Sequence, residues 1–160
     1  MNENLARMIA LAESTFDVRN DPSQLSINEG VIDKLKSIHP KTLNEETDAN
    51  GPIAWILVIP TTEKIMREFL DGWINEGEIL EKTLSETRFE SVYLCSALVL
   101  PEFRNKGLAR KLTLAAVNSI RATHPIKFLF YWPFSKGGEA LAEAVAWESG
   151  LSLLRREKRT

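Results

Sequence analysis

Three apolar runs, each ended by a proline, dominate the hydrophobic pattern of the chain: Ile53–Ile59, Val92–Leu100 and Ile126–Trp132. Runs of this length and composition are typical of strands that are buried on both faces. A shorter run, Leu151–Leu154, predicts a last strand. Polar residues fill Lys41–Pro52, which ends in an Asn-Gly-Pro turn sequence, and we see no clear strand before Ile53.

Between these runs, apolar residues recur at helical spacing. The pattern predicts helices over 3–14, 29–38, 107–122 and, after a glycine-containing loop at 136–138, over 139–148. A stripe that includes Ile65, Phe69 and Trp73 predicts another helix from Thr61 or Thr62, and a short one follows over 78–84. From Val92 onward, the order strand, helix, strand, helix, strand implies parallel neighbouring strands with helices covering them.

Length and composition predict one domain over residues 1–160, with a helical, divergent part over about 1–52. Hydrophobic residues make up 44% and charged residues 26%, which excludes disorder of the whole chain. The apolar runs are shorter than the roughly 20 residues of a membrane-spanning helix. The N-terminus lacks the pattern of a secretory signal, so we expect a cytoplasmic protein. One cysteine and two histidines are too few for a convincing metal site, so we expect none.

Charge is divided unevenly along the chain. Residues 1–80 hold 7 basic and 14 acidic residues, whereas residues 81–160 hold 13 and 8. This asymmetry hints at a polyanionic ligand for the second half, although on charge alone solvated surface charge is the favoured explanation. Within that half, the loop after the second strand places Arg104, Lys106 and Gly107 directly before a helix. Because a helix start presents unpaired N–H groups and glycine allows close approach, the loop is suited to binding a pyrophosphate.

The segment Leu98–Leu112, LVLPEFRNKGLARKL, resembles the acetyl-CoA motif of the GNAT superfamily of N-acetyltransferases. That motif is a strand ending in V-x-P, then Arg/Gln-x-x-Gly-x-Gly/Ala, then an amphipathic helix. Arg104, Gly107 and Ala109 fall on its three defining positions. The resemblance covers about Val92–Leu154 and implies an α/β fold with a central mixed sheet flanked by helices in three layers.

The resemblance also implies a binding site for acetyl-CoA as co-substrate. Its pantetheine arm is expected along the strand near Leu98 and Leu100, and its pyrophosphate on the loop and helix start. The residues expected to bind it are Leu98, Val99, Leu100, Arg104, Asn105, Lys106, Gly107, Leu108, Ala109 and Ser135. Many relatives also carry a tyrosine that protonates the departing thiolate, and Ala146 takes its place here.

Candidates for proton transfer are few. Tyr131 and Tyr93 are the two tyrosines of the chain and the candidate acids, although either hydroxyl could instead satisfy a core hydrogen bond. Ser135 is a further candidate acid. Glu90, just before a strand, is the candidate base, with an exposed structural carboxylate as the alternative.

The expected activity is acetyl transfer from acetyl-CoA to a primary amine of a small molecule or protein, by direct attack in a ternary complex. The alternative is a catalytically degenerate sensor or scaffold that binds acyl-CoA. A third reading, a nucleic-acid module, would use the cations of the loop and the basic tail 155–159, but the acidic first half weighs against it. Expected partners are therefore acetyl-CoA and an amine, with a homodimer left open, and neither nucleic acid nor a membrane.

Overall fold

The computed structural model describes residues 3–19, 29–85, 87–133 and 135–157, and within them five strands form one sheet. The strands follow one another in chain order: β1 Leu43–Asp48, β2 Gly51–Thr61, β3 Ser91–Val99, β4 Phe128–Tyr131 and β5 Ser152–Arg155. β1, β2 and β3 pair antiparallel, and β3, β4 and β5 pair parallel. The parallel half confirms the order read from the sequence.

Helices flank this sheet, which confirms the predicted mixed α/β class. They are α1 Glu3–Arg19, α2 Glu29–Ile38, α3 Glu63–Leu70, α4 Glu76–Lys82, α5 Leu108–Arg121 and α6 Lys136–Ser149, with a 3-10 turn at Pro101–Phe103. Both α5 and α6 join parallel neighbours in the same direction. Because such crossovers are right-handed, we assign these two helices to the same face. An ion pair between Arg110 of α5 and Glu148 of α6, at 3.1 Å, is consistent with this assignment.

Both faces of the central strands are buried. Val92 and Tyr93 are neighbours in β3 and therefore point to opposite faces, yet both are at most 1% exposed. Leu129 and Phe130 in β4 are fully buried in the same way. On the face of Tyr93 and Phe130, the ring of Phe69 from α3 packs edge-on, with ring centroids 5.0 and 5.9 Å away. The apolar runs of the sequence are continuous because neither face of these central strands is exposed to solvent.

Three local expectations were wrong. Strand β1 lies within the polar stretch 41–52, where the sequence shows no clear strand, so the first 52 residues are not wholly helical. As an edge strand it buries little, and Glu45 accepts a hydrogen bond from Nε1 of Trp55 on β2, at 2.7 Å. Helix α6 begins at Lys136 rather than after the glycines, because the hydroxyl of Ser135 caps it. Trp73 lies beyond the end of α3 and is 80% exposed.

A β-bulge interrupts the pairing of β3 with β2. Leu57 lies opposite Ser96 and Val58 opposite Leu94, so Cys95 is the extra residue in β3. Pairing with β4 is confined to Ser91–Tyr93, just before the bulge. A bulge bends its strand and increases the local twist. β3 and β4 consequently separate beyond Tyr93 and open a cleft within the sheet.

Candidate functional site

The cleft between β3 and β4 has a volume of about 680 Å³. One wall is the second half of β3, from Leu94 to Val99, and the other is formed by Tyr131, Trp132 and Pro133 at the end of β4. Ligand sites usually measure about 300–1,000 Å³. The strand edges that face each other here carry main-chain groups released from sheet pairing, which suits an extended, amide-containing ligand.

The loop between β3 and α5 forms the mouth of the cleft. Gly107 is the N-cap of α5 and has a left-handed backbone with φ of 75°. Asn105 is also left-handed, with φ of 63°, a conformation that asparagine tolerates better than most residues. The Nε–H of Arg104 donates to the carbonyl oxygen of Val99 at 2.9 Å and so ties the loop to the strand. No described atom lies within 4 Å of a Cβ built on Gly107, so the backbone there stands open to a ligand.

Two helix N-termini meet at this mouth. Gly107, Leu108 and Ala109 at the start of α5 line the cleft, and so do Gly137 and Gly138 at the start of α6. Each helix has 14 residues, and residues of its first turn line the cleft, so the positive end of its dipole lies beside the cleft. In α6, the N–H of Gly138 already donates to the hydroxyl of Ser135. This pairing of two helix starts favours an anion at the mouth.

The side chains around the loop carry a net positive charge, which favours an anion. Its one acidic residue, Glu102, accepts two hydrogen bonds from the guanidinium of Arg7, at 2.6 and 2.8 Å. This contact lowers the pKa of Glu102 to about 2, so the carboxylate stays ionised and neutralises Arg7. Lys106 lies over the ring of Phe103, 5.7 Å from its centroid. The cations of Arg104, Lys106 and Lys111 therefore outweigh the acidic charge next to the cleft mouth.

Most residues expected to bind acetyl-CoA come together at the cleft. Those that line it are Leu98, Val99, Arg104, Asn105, Gly107, Leu108, Ala109 and Ser135. Leu100 and Lys106 are not among the described residues that do. Leu100 is 1% exposed and packs with Met8 and Ile53, and its N–H donates to the carbonyl oxygen of Ile53 at 3.0 Å. The hydroxyl of Ser135 accepts from the N–H of Gly138 at 3.0 Å, which leaves its own hydrogen free to donate.

The two tyrosines have different surroundings. Tyr131 lines the cleft and is 5% exposed. Tyr93 is 1% exposed and is not among the residues described as lining it. Its ring packs against Phe69 and Phe130, with both centroids 5.0 Å away, and its hydroxyl donates to the carboxylate of Glu76. The core role that the sequence left open as an alternative therefore fits Tyr93 better than Tyr131.

Glu90 lies at the opposite end of β3 from the loop. Its Oε1 accepts from the N–H of Glu63 in the first turn of α3, at 3.3 Å. Its carbonyl oxygen accepts from the N–H groups of Lys127 and Phe128 at 2.7 and 3.2 Å. Glu90 is not one of the described residues of the cleft wall. This setting favours the structural alternative for its carboxylate.

Glu76 is the acidic residue that sequence reasoning missed. It opens α4, is 1% exposed, and accepts from Tyr93 and, at 3.8 Å, from Sγ of Cys95 in the cleft wall. A carboxylate this deeply buried is rare unless it is hydrogen-bonded. In the sequence Glu76 is one of several acids in a polar helix start, and no local signal distinguishes it from Glu78.

Ala146, at the position where the resemblance to the GNAT superfamily leads us to expect a tyrosine, is 8% exposed in the core and offers no proton donor. Ala142, one turn earlier in α6, does line the cleft. Neither alanine of α6 can donate a proton, whereas Tyr131 of β4 places a hydroxyl-bearing side chain in the cleft wall.

The described parts of the chain contain no group of three or more His, Cys, Asp or Glu side chains that could hold a metal ion. Nor does any helix in these parts have the length and apolar character needed to cross a membrane. No known protein-family profile matches the chain, and a search of curated protein sequences gives no match.

Proposed function

We propose that the chain is an N-acetyltransferase that uses acetyl-CoA to acetylate a primary amine. The observation that carries the proposal is the opening of the sheet between β3 and β4, directly beneath the starts of α5 and α6. The site offers two helix starts for an anion and, next to them, a cleft between two strands for an extended arm. Coenzyme A has this shape and charge, with a pyrophosphate joined to an extended pantetheine arm. The motif at 98–112 supports the same ligand.

The chain's own groups would divide the work between anchoring and proton transfer. The N–H groups of Gly107, Leu108 and Ala109 and the guanidinium of Arg104, which all belong to residues lining the cleft, would hold the pyrophosphate. Main-chain groups of β3 from Leu94 to Val99 would pair with the arm and orient the thioester. A bound acetyl thioester supplies the activated acyl group. An N–H of β3 near the bulge would stabilise the oxyanion that forms when the amine attacks.

Two proton transfers complete the reaction. The attacking amine must be neutral, because a protonated amine has no lone pair, and the departing thiolate must gain a proton. Tyr131 is the preferred donor for the second step, because it lines the cleft at the end of β4. Ser135, the other candidate that lines the cleft, caps α6 at the mouth, where the phosphates would lie. Glu90 stays the sequence-derived candidate for the first, and its contact with Glu63 weighs against it.

The alternative, an acyl-CoA-binding sensor or scaffold, draws its support from Ala146, which cannot act as the acid. A nucleic-acid module has less support. Arg156 of the basic tail is 4% exposed with its guanidinium over the rings of Phe69 and Trp132, and Arg155 pairs with Glu139. Both arginines are therefore engaged within the fold, and residues 158 and 159 of the tail lie outside the described part of the chain.

Two measurements on the intact protein test the proposal. Calorimetry with CoA and acetyl-CoA should show binding, and a thiol-release assay with a panel of primary amines should show turnover. Binding with turnover supports the transferase, and binding without turnover supports the sensor. Absence of binding at millimolar CoA would contradict both, and salt-sensitive binding to DNA or RNA would then favour the third reading.

A further inference from the structure

Thr113 in α5 holds a buried hydroxyl that the fold does not use. The residue is 2% exposed and lines the cleft. Its Oγ1 is the one buried side-chain oxygen or nitrogen without a hydrogen-bond partner in the part of the chain that the structure describes. A buried threonine in a helix commonly bonds back to a carbonyl one turn earlier, and this one makes no such bond.

An aliphatic side chain would suit the unliganded protein better at this position. Thr113 continues the buried stripe of Ala116, Val117 and Ile120 on α5. Leaving a buried polar group unpaired lowers the free energy of unfolding, because the group loses its hydrogen bonds to water and gains none in the protein. The isosteric valine would avoid that cost at the same volume. A hydroxyl that destabilises the empty protein, on a residue that borders its cleft, points to a partner that enters with a ligand.

The position of Thr113 along the helix indicates which part of a ligand it would meet. It lies six residues after Gly107, and a helix rises about 1.5 Å per residue, so the hydroxyl is about 9 Å beyond the helix start. A ligand with its phosphates at the helix start would present the arm, not the phosphates, at that depth. The hydroxyl can both donate and accept, which suits an amide group.

We propose that the Thr113 hydroxyl hydrogen-bonds an amide of the pantetheine arm. Helix α5 would then bind the arm as well as the phosphates. This inference rests on the proposed function, since it assigns a contact within the same ligand. It adds a ligand-contacting residue further along α5, whereas the motif at 98–112 covers the strand, the loop and only the start of that helix.

Calorimetry on wild type, Thr113→Val and Thr113→Ser tests the inference with three probes: CoA, pantetheine, and adenosine 3′,5′-bisphosphate, which has no arm. Thr113→Val should weaken binding of CoA and pantetheine about five- to thirtyfold and leave the bisphosphate unchanged. Thr113→Ser keeps the hydroxyl and should bind CoA within about threefold of wild type. Without ligand, Thr113→Val should unfold at the same temperature as wild type or higher.

The outcomes separate the two claims. If wild type binds CoA and Thr113→Val binds it equally well, or loses the bisphosphate to the same extent, the assignment of Thr113 is overturned and the proposed function stands. If wild type binds no CoA, both fall. Thr113→Ala deletes the same hydroxyl and gives a second reading should the valine variant fold poorly, with the same loss of CoA and pantetheine expected.

Discussion

The Nε–H of Arg104 donates to the carbonyl oxygen of Val99 at 2.9 Å, and this bond closes the loop that carries Gly107. The side chain therefore acts through the shape of the loop as well as through its charge. We expect Arg104→Leu to weaken CoA binding about five- to tenfold, the equivalent of one hydrogen bond. Arg104→Gln, which retains an N–H donor, should lose less. Calorimetry measures the CoA affinity of both variants, and an equal loss of affinity in the two would mean that only the charge of Arg104 matters.

Gly107 is predicted to face the phosphates. Its left-handed φ of 75° strains any side chain, so a substitution needs a control of equal size. Gly107→Glu and Gly107→Gln carry the same strain and differ by one negative charge. We expect the glutamate variant to bind CoA more weakly than the glutamine variant, by a margin that shrinks as salt is added. Equal affinities of the two folded variants would show that no anion approaches this backbone.

Tyr131 is the expected proton donor to the departing thiolate. General acid catalysis is typically worth about 10²–10⁴-fold in rate. Tyr131→Phe should therefore lower turnover with little change in CoA affinity, since the ring still packs in the cleft wall. Tyr93→Phe, the matched control, should lower stability because Glu76 loses a buried partner. Full turnover of both variants between about pH 6 and pH 9 would pass the role to solvent or Ser135.

His39 and His124, whose ring centroids lie 6.1 Å apart, predict a loss of stability in mild acid. Burial lowers the pKa of both imidazoles below 6.5, with further lowering from His124 and Lys41 at His39 and from Arg88 at His124. Each Nδ1 accepts a main-chain N–H, from Lys41 at 3.0 Å and from Phe89 at 3.3 Å. Protonation of Nδ1 would break these bonds.

The unfolded chain therefore takes up these protons more readily than the folded one, so the free energy of unfolding should begin to fall as the pH drops below about 6.5. Denaturant melts between about pH 5 and pH 8 measure it. His124→Asn, which can place an amide oxygen near the position of Nδ1, should flatten the dependence. A wild-type profile that is flat across this range would contradict the prediction.

The sequence by itself determined the parts of the fold in which local pattern and global position agree. The apolar runs ended by prolines became β2, β3 and β4, and the stripe from Leu108 became α5, because continuous apolar residues and 3.6-residue spacing each allow one buried arrangement. The backbone freedom of Gly107 and the positive charge of the loop at 101–107 could also be predicted from the sequence, because both are properties of the residue types themselves.

Tertiary structure decided the rest. Strand β1 has almost no apolar signal, because an edge strand is held by main-chain bonds to one neighbour and needs little burial. The bulge at Cys95 opens the cleft, yet it arises from the register of β3 against β2, which no single strand encodes. Glu76 and Thr113 look like surface residues in the sequence. Only long-range packing removes them from water, and burial is what gives the carboxylate its partners and leaves the hydroxyl in need of one.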